Sequence, residues 1–141
     1  MSERESVALE EAFLLHQRDY RNTSQIVECL TKEHGLVALV AQGSRRPRGG
    51  QRAILQPFLP LRLSWVRRGD LGRLTGAELR EAVADFDSGK LLAAFYLNEL
   101  ILRLLARGDA NADAYSCYSR ALAELRRGAG TAATLRIFEL A

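Results

Sequence analysis

The chain has 141 residues, 48% of them hydrophobic, and a formal net charge of +3, which predicts a globular protein with one domain or two small ones. Its longest apolar run, residues 91–105, is interrupted by Asn98, Glu99 and Arg103, which excludes a transmembrane helix. The first ten residues are polar and acidic, unlike a secretion signal, so we expect a cytoplasmic protein with no membrane partner.

The first half of the chain predicts five short β-strands. After a flexible N-terminus at 1–10, β-rich or alternating runs appear near 13–18, 26–31, 36–41, 59–65 and 71–78. Gly35 is suited to a positive φ in a hairpin between the second and third strands, and residues 67–70 predict a turn. Five short strands within residues 11–80 favour a small closed barrel, because closure removes exposed strand edges.

The second half, residues 81–141, predicts helices. From about residue 88 apolar side chains surround most of a first helix, so we expect it to be buried on most sides. Gly108 ends this helix, and Asp109 or Asn111 can cap a second one. The apolar positions of the second helix are Tyr115, Tyr118, Leu122 and Leu125. Thr131 can cap a third helix that is still running at the last residue.

Positive charge is concentrated between residues 43 and 73, where eight arginines face a single acid, Asp70. The arginines are Arg45, Arg46, Arg48, Arg52, Arg62, Arg67, Arg68 and Arg73. Residues 42–52 combine glycine, proline and arginine, which predicts a flexible loop. Because a guanidinium donates two parallel hydrogen bonds to a phosphate, the block predicts a polyanion partner. The alternative is a solvated basic linker that aids solubility.

Three aromatic residues near this block are candidates for stacking on nucleic-acid bases. Trp65 continues the alternating face of residues 59, 61 and 63, which favours the core. Phe58 is out of phase with that face, and exposed and buried positions are equally compatible with its pattern. Tyr20 follows a strand in a polar turn, which favours the surface. Tyr20 and Phe58 therefore remain candidate nucleic-acid-binding residues.

The sequence predicts no enzyme, no catalytic residue and no cofactor. No P-loop, GxSxG, GxGxxG or HExxH pattern occurs. Cys29 and Cys117 lack the spacing of metal ligands, as do His16 and His34. Two reduced, buried thiols and no metal site are expected.

Two acidic or amide pairs have alternative explanations. Asp85 and Asp87 precede the first helix, so helix capping explains them better than metal binding or acid–base chemistry. Asn98 and Glu99 interrupt the most hydrophobic helix. They indicate either an exposed stripe on that helix or a hydrogen bond to another domain or partner.

Seven strings, in order along the chain, resemble the RecO family of bacterial DNA repair and recombination mediator proteins. They are AFLLH at 12–16, YRNTS at 20–24, TKEHG at 31–35, VAQGSRR at 40–46, LQPFLPL at 55–61, FYLNEL at 95–100 and LRIFEL at 135–140. Two positions depart from the family pattern. Gln42 stands where the family often has lysine, and Asn22 stands where it often has glutamate.

The resemblance implies an α+β protein, with a five-stranded OB-fold barrel at 11–80 followed by a helical domain at 81–141. It implies binding of single- and double-stranded DNA, annealing of complementary strands, and no nucleotide hydrolysis. The implied partners are RecR, the single-strand-binding protein and, indirectly, RecA. The implied role is in RecF-pathway gap repair, where the protein helps to load RecA on DNA strands covered by the single-strand-binding protein. Family members continue beyond the matched part, some with a zinc module, so the helical domain is expected to be incomplete. The resemblance also implies that the protein is located at the bacterial nucleoid.

The leading hypothesis is therefore a DNA-binding module whose eight arginines neutralise phosphates. The alternative is a protein-interaction adaptor, in which an apolar groove at 90–141 and the arginine block bind an acidic-tailed partner.

Overall fold

Five strands and two helices are present in residues 4–43, 54–105 and 111–127, the part of the chain that the computed structural model describes. The elements are β1 (Glu5–Tyr20), β2 (Ser24–Thr31), β3 (Gly35–Ala41), β4 (Leu61–Arg67), β5 (Leu71–Leu79), α1 (Ser88–Leu104) and α2 (Ala112–Arg126). The strands close into a barrel in the order β1-β2-β3-β5-β4. β3 and β5 run parallel, and the other neighbours run antiparallel. The predicted α+β fold, an OB-fold barrel followed by a helical region, is confirmed.

β1 begins earlier than the predicted barrel boundary at residue 11. Residues 5–10, predicted as part of a flexible N-terminus, form the first section of this strand, and Glu5 to Val7 pair with Arg67 to Trp65 of β4. The register shifts between Val7 and Glu10, where Leu9 has a φ of 53°. The physical reason for the difference is closure, because β1 must be long enough to pair with both β2 and β4.

The barrel interior is apolar and tightly packed. Trp65 is fully buried, as predicted, and every residue of β3 except Val40 is buried. Gly35 takes a φ of 66° in the predicted hairpin. A Cβ added at Gly72 would lie 2.8 Å from Leu39 Cδ2 and 3.1 Å from the Val66 carbonyl oxygen. Glycine therefore permits the close approach of β5 to β3 and β4.

A second core forms where the helices pack on the outside of the barrel. It joins Phe13, Leu15 and Leu30 of the barrel to one face of each helix. The helix residues in this core include Ala94, Leu97, Ile101, Tyr115, Tyr118, Leu122 and Leu125. The spacing predicted for the second helix is confirmed, since all four of its apolar positions are buried.

The prediction that α1 is buried on most sides is wrong for the described part of the chain. Leu92 is 78% exposed, and Leu91, Phe95, Tyr96 and Leu104 are also exposed. Only one face of α1 meets the barrel and α2, so the additional apolar side chains have no described surface to cover.

Asn98 makes the interdomain hydrogen bonds that its sequence context left open. Its side chain is buried, Nδ2 donates to the carbonyl oxygen of Leu15 at 3.1 Å, and Oδ1 accepts from the hydroxyl of Tyr118. One amide therefore joins β1, α1 and α2. Glu99 points outward, and its side chain is 62% exposed. Its Oε2 lies 4.0 Å from Nε of Arg103.

The helix caps agree with the sequence at α2 and differ at α1. Asn111 Oδ1 accepts from the amide of Ala114 at 2.9 Å, as predicted. Asp87 occupies the N-cap position of α1, but its side chain makes no capping hydrogen bond. The Asp87 carboxylate therefore does not cap α1, contrary to the prediction. α1 ends at Leu104, with Leu105 extended at its C-cap position, so the helix end predicted at Gly108 is wrong. The predicted Asp109 cap and the third helix from Thr131 lie outside the described residues.

Arg126 of α2 contacts both the segment between β5 and α1 and the segment that precedes β4. Its Nε donates to the carbonyl oxygen of Ala84 at 2.9 Å, and its Nη2 donates to the carbonyl oxygen of Phe58. Its guanidinium also lies 4.5 Å from the centre of the Phe86 ring. Burial lowers the pKa of Arg126 from its ordinary value.

One buried thiol and two buried tyrosine hydroxyls predict that the protein loses stability at alkaline pH. Burial raises the pKa of Cys29 to about 12 from 9.0 and that of Tyr115 to about 12 from 10.0, and it raises the pKa of Tyr118 further. The unfolded chain loses these protons first, so stability is retained below pH 9 and falls above it. Each group contributes up to about 1.4 kcal/mol per pH unit.

Urea denaturation between pH 8 and pH 11 measures this loss. The free energy of unfolding should begin to fall near pH 9, and more steeply above pH 10. Tyr118→Phe should reduce the slope above pH 10, and Cys29→Ala should reduce it from pH 9 upward. A free energy that stays constant up to pH 11 would contradict the prediction.

Candidate nucleic-acid interface

A cleft of about 580 Å³ at one end of the barrel is lined by arginines from three separate parts of the chain. They are Arg4, Arg21, Arg67, Arg68 and Arg73. Tyr20 and Gln42 complete the polar rim, while Val40, Val66, Leu71 and Gly72 form the remaining wall. The start of β1, the β1–β2 turn and the β4–β5 turn meet here because the barrel closes.

The β4–β5 turn explains why three arginines share one rim. Gly69 has a φ of 78°, a conformation that glycine adopts at little cost and that reverses the chain tightly. Arg73 then pairs with Val66, while Arg67 pairs with Gly72. Arg73 is exposed between the buried Gly72 and Leu74, so strand alternation turns its side chain away from the core.

The positive charge in the cleft is only partly neutralised. Arg67 is 17% exposed, and its Nη2 lies 2.9 Å from Oε1 of Glu5. Within the described residues, Arg4, Arg68 and Arg73 have no carboxylate within 4.0 Å. A phosphate in this cleft would relieve the mutual repulsion of several guanidiniums and accept charge-assisted hydrogen bonds from them.

Tyr20 is the aromatic residue of the cleft. Its ring is partly buried, and Cζ of Arg21 lies over it, 5.0 Å from the ring centre. Arg21 has a φ of 56° in the turn, which directs it back over its neighbour. A guanidinium stacked on an aromatic ring beside a cationic wall is an arrangement that can hold a base and a phosphate together.

Two of the predicted site residues lie elsewhere. Arg62 is at the opposite end of β4, does not line the cleft, and pairs with Glu78 at 3.7 Å. Phe58 is buried, with its ring centre 5.4 Å from that of Phe86 and 4.9 Å from that of Phe95. The prediction of Phe58 as a base-stacking residue is therefore wrong, because Phe58 lies before β4 with a φ of 76° and belongs to the core formed with the helices.

The remaining predicted cations are on the loop that follows β3. Arg45, Arg46, Arg48 and Arg52 lie outside the described residues. The prediction that their loop is flexible concerns these same residues. The described chain leads into that loop from Gln42, which lines the cleft.

Sequence reasoning missed Arg4 and Arg21. Arg4 was included in the predicted flexible N-terminus, although it directly precedes the section of β1 that pairs with β4. Arg21 adjoins the predicted Tyr20, so a search for basic residues beside candidate aromatic residues would have found it.

A second, smaller cleft of about 340 Å³ lies between the barrel, the linker and α2. Its apolar lining includes Phe13, Val83 and Ala123, and its cations are Arg80, Arg126 and Arg127.

Within the described ranges, no group of three histidine, cysteine or carboxylate residues could hold a metal ion. In the same ranges, neither helix is long and apolar enough to cross a membrane.

Comparison with known proteins identifies two matching family models. Residues 6–83 match the model described as Recombination protein O N terminal, and residues 85–141 match Recombination protein O C terminal. Apart from Glu5, the described barrel falls within the first match, and both described helices fall within the second.

Curated relatives carry the same name. The chain is 47% identical over 133 residues to DNA repair protein RecO of Nitrosococcus oceani, covering 94% of this chain and 54% of the relative. It is 41% identical over 141 residues to DNA repair protein RecO of Laribacter hongkongensis, covering 99% of this chain and 58% of the relative. The chain thus spans about half the length of the curated relatives it matches. With both family models matched in order along a barrel and the helices that follow it, the chain belongs to the RecO family of DNA repair and recombination proteins.

Proposed function

We propose that this chain binds DNA through the arginine cleft and prefers single strands, without turnover of any substrate. The observation that carries the proposal is the convergence of five arginines and Tyr20 at one end of the barrel. Guanidiniums can follow a phosphate backbone while an aromatic ring stacks on a base. An unpaired strand offers its bases for such stacking, whereas a duplex does not.

The finer role that we propose is that of a recombination mediator in gap repair. Neutralising the phosphates of two strands would favour their annealing. RecR and the single-strand-binding protein would be the protein partners, with RecA loaded on the exposed strand in the bacterial cytoplasm, at the nucleoid. The names of the curated relatives support a place in DNA repair. Because the chain spans about half of their length, these whole-protein activities remain part of the proposal.

Binding to a labelled oligonucleotide over a salt series tests the DNA-binding function. Fluorescence anisotropy with a fluorescein-labelled oligo(dT) should show affinity falling linearly on a log–log plot, with a slope of about −2 to −4. That range follows from about 0.7 per phosphate contact on a single strand and the five arginines of the cleft. A matched duplex should bind more weakly. A flat slope, or no binding at low salt, would refute the proposal.

A second candidate function is that of an adaptor for a protein with an acidic tail. The observation that favours it is the smaller cleft, where an apolar wall adjoins Arg80, Arg126 and Arg127. Capture of an acidic, apolar peptide that survives deletion of residues 44–52 and is not displaced by oligo(dT) would support this function. Displacement by oligo(dT) would instead place the peptide in the DNA-binding cleft.

A further inference from the structure

One acidic side chain directly contacts the arginine wall of the cleft. Glu5 and Arg67 are opposite each other in the β1–β4 ladder, with Oε1 and Nη2 2.9 Å apart. Arg67 is also more enclosed than its neighbours, since its side chain is 17% exposed whereas Arg68 and Arg73 are exposed residues. The glutamate therefore occupies a guanidinium nitrogen that could otherwise donate to a phosphate entering the cleft.

The contact between Glu5 and Arg67 is an ion pair without good hydrogen-bond geometry. Oε1 of Glu5 is shielded from solvent, yet it accepts no hydrogen bond from any described residue. A shielded carboxylate oxygen that lacks a hydrogen bond is costly. A phosphate can satisfy the planar guanidinium with two parallel hydrogen bonds, so exchange of carboxylate for phosphate is favoured at this arginine.

Resting on the proposed DNA-binding function, we propose that Glu5 is an internal competitor of phosphate for Arg67. In the free protein it neutralises one cation of the cleft. In the complex its carboxylate lies beside the bound phosphate and repels it. Glu5 thereby lowers the affinity of the cleft and makes its salt dependence shallower than its arginines would otherwise produce.

The test compares two variants that change the net charge equally. Glu5→Gln keeps the side-chain size and removes the competing charge, so oligo(dT) should bind about fivefold more tightly at low salt. The log–log salt slope should become more negative by about 0.7, because the charge of Arg67 is no longer offset by a carboxylate. Glu78→Gln is the matched control, because Glu78 pairs with Arg62 at 3.7 Å outside the cleft. It reports any effect of overall charge alone.

The outcomes separate the competitor role from DNA binding itself. Equal affinities and slopes for Glu5→Gln and Glu78→Gln would overturn the role of Glu5, as would weaker binding by a Glu5→Gln protein with an unchanged melting temperature. Glu5→Ala should reproduce the gain, and it decides the question if glutamine disturbs the strand. If the unaltered chain binds no oligo(dT) at all, the proposed DNA-binding function fails instead.

Discussion

Replacing Arg67, Arg68 and Arg73 together by alanine should weaken binding of single-stranded oligo(dT) about a hundredfold at low salt. The three side chains line one rim of the cleft, where each can donate a charge-assisted hydrogen bond to phosphate. At about 1 kcal/mol for each contact, the three together account for that factor. The salt slope should become shallower by about 2, because about 0.7 is lost with each contact.

An equal change of net charge elsewhere provides the control. Arg62, Arg103 and Arg120 do not line the cleft, and Arg103 and Arg120 are exposed on the helices. Their combined replacement by alanine should change affinity less than threefold. Equal losses for the two triple variants would show that overall charge, and not the cleft, governs binding. Loss confined to one oligonucleotide sequence would indicate base readout instead of phosphate contact.

Asn98→Ala should destabilise the protein by about 2–4 kcal/mol, the largest effect on stability expected from a single polar residue. Alanine leaves the Leu15 carbonyl and the Tyr118 hydroxyl, both in the interface between barrel and helices, without their partner. Each unsatisfied buried group costs about 1–3 kcal/mol. The midpoint of urea denaturation, followed by circular dichroism at 222 nm, measures the loss.

The adjacent residue supplies the matched control for Asn98. Glu99 is exposed and its contact with Arg103 is long, at 4.0 Å, so Glu99→Ala should leave the midpoint within the error of the measurement. Tyr118→Phe removes one of the two hydrogen bonds made by Asn98, and its cost should be smaller than that of Asn98→Ala. If Asn98→Ala costs no more than Glu99→Ala, the amide does not hold the interface together.

Most of the barrel could be predicted because strand alternation is a local property. The hairpin at Gly35, the burial of Trp65 and the chain order of the five strands all follow from neighbouring residues. The closing register could not be predicted, since the pairing of Glu5 with Arg67 joins residues far apart in sequence. For that reason Arg4 was assigned to a flexible end although it lines the cleft.

The candidate site was predicted by residue type more reliably than by position. Charge density alone selected Arg67, Arg68 and Arg73 together with Arg62, because sequence spacing does not reveal which end of a strand faces the cleft. Phe58 was ambiguous because its pattern does not distinguish solvent from a second packed layer. Asn98 was similar, since only the packing of α1 on β1 and α2 shows that a polar residue in an apolar helix is buried and hydrogen-bonded at both of its amide atoms.

The position of the single tryptophan gives this protein a built-in optical probe of one half of its structure. Trp65 lies in the barrel interior with its ring edge-on to His34, 5.5 Å between ring centres. Both helices pack against the outer surface of the barrel, in a separate core. Tryptophan emission therefore reports when water enters the barrel, while the far-ultraviolet signal near 222 nm is dominated by the helices. Divergence of the two signals during unfolding would reveal the helices leaving an intact barrel.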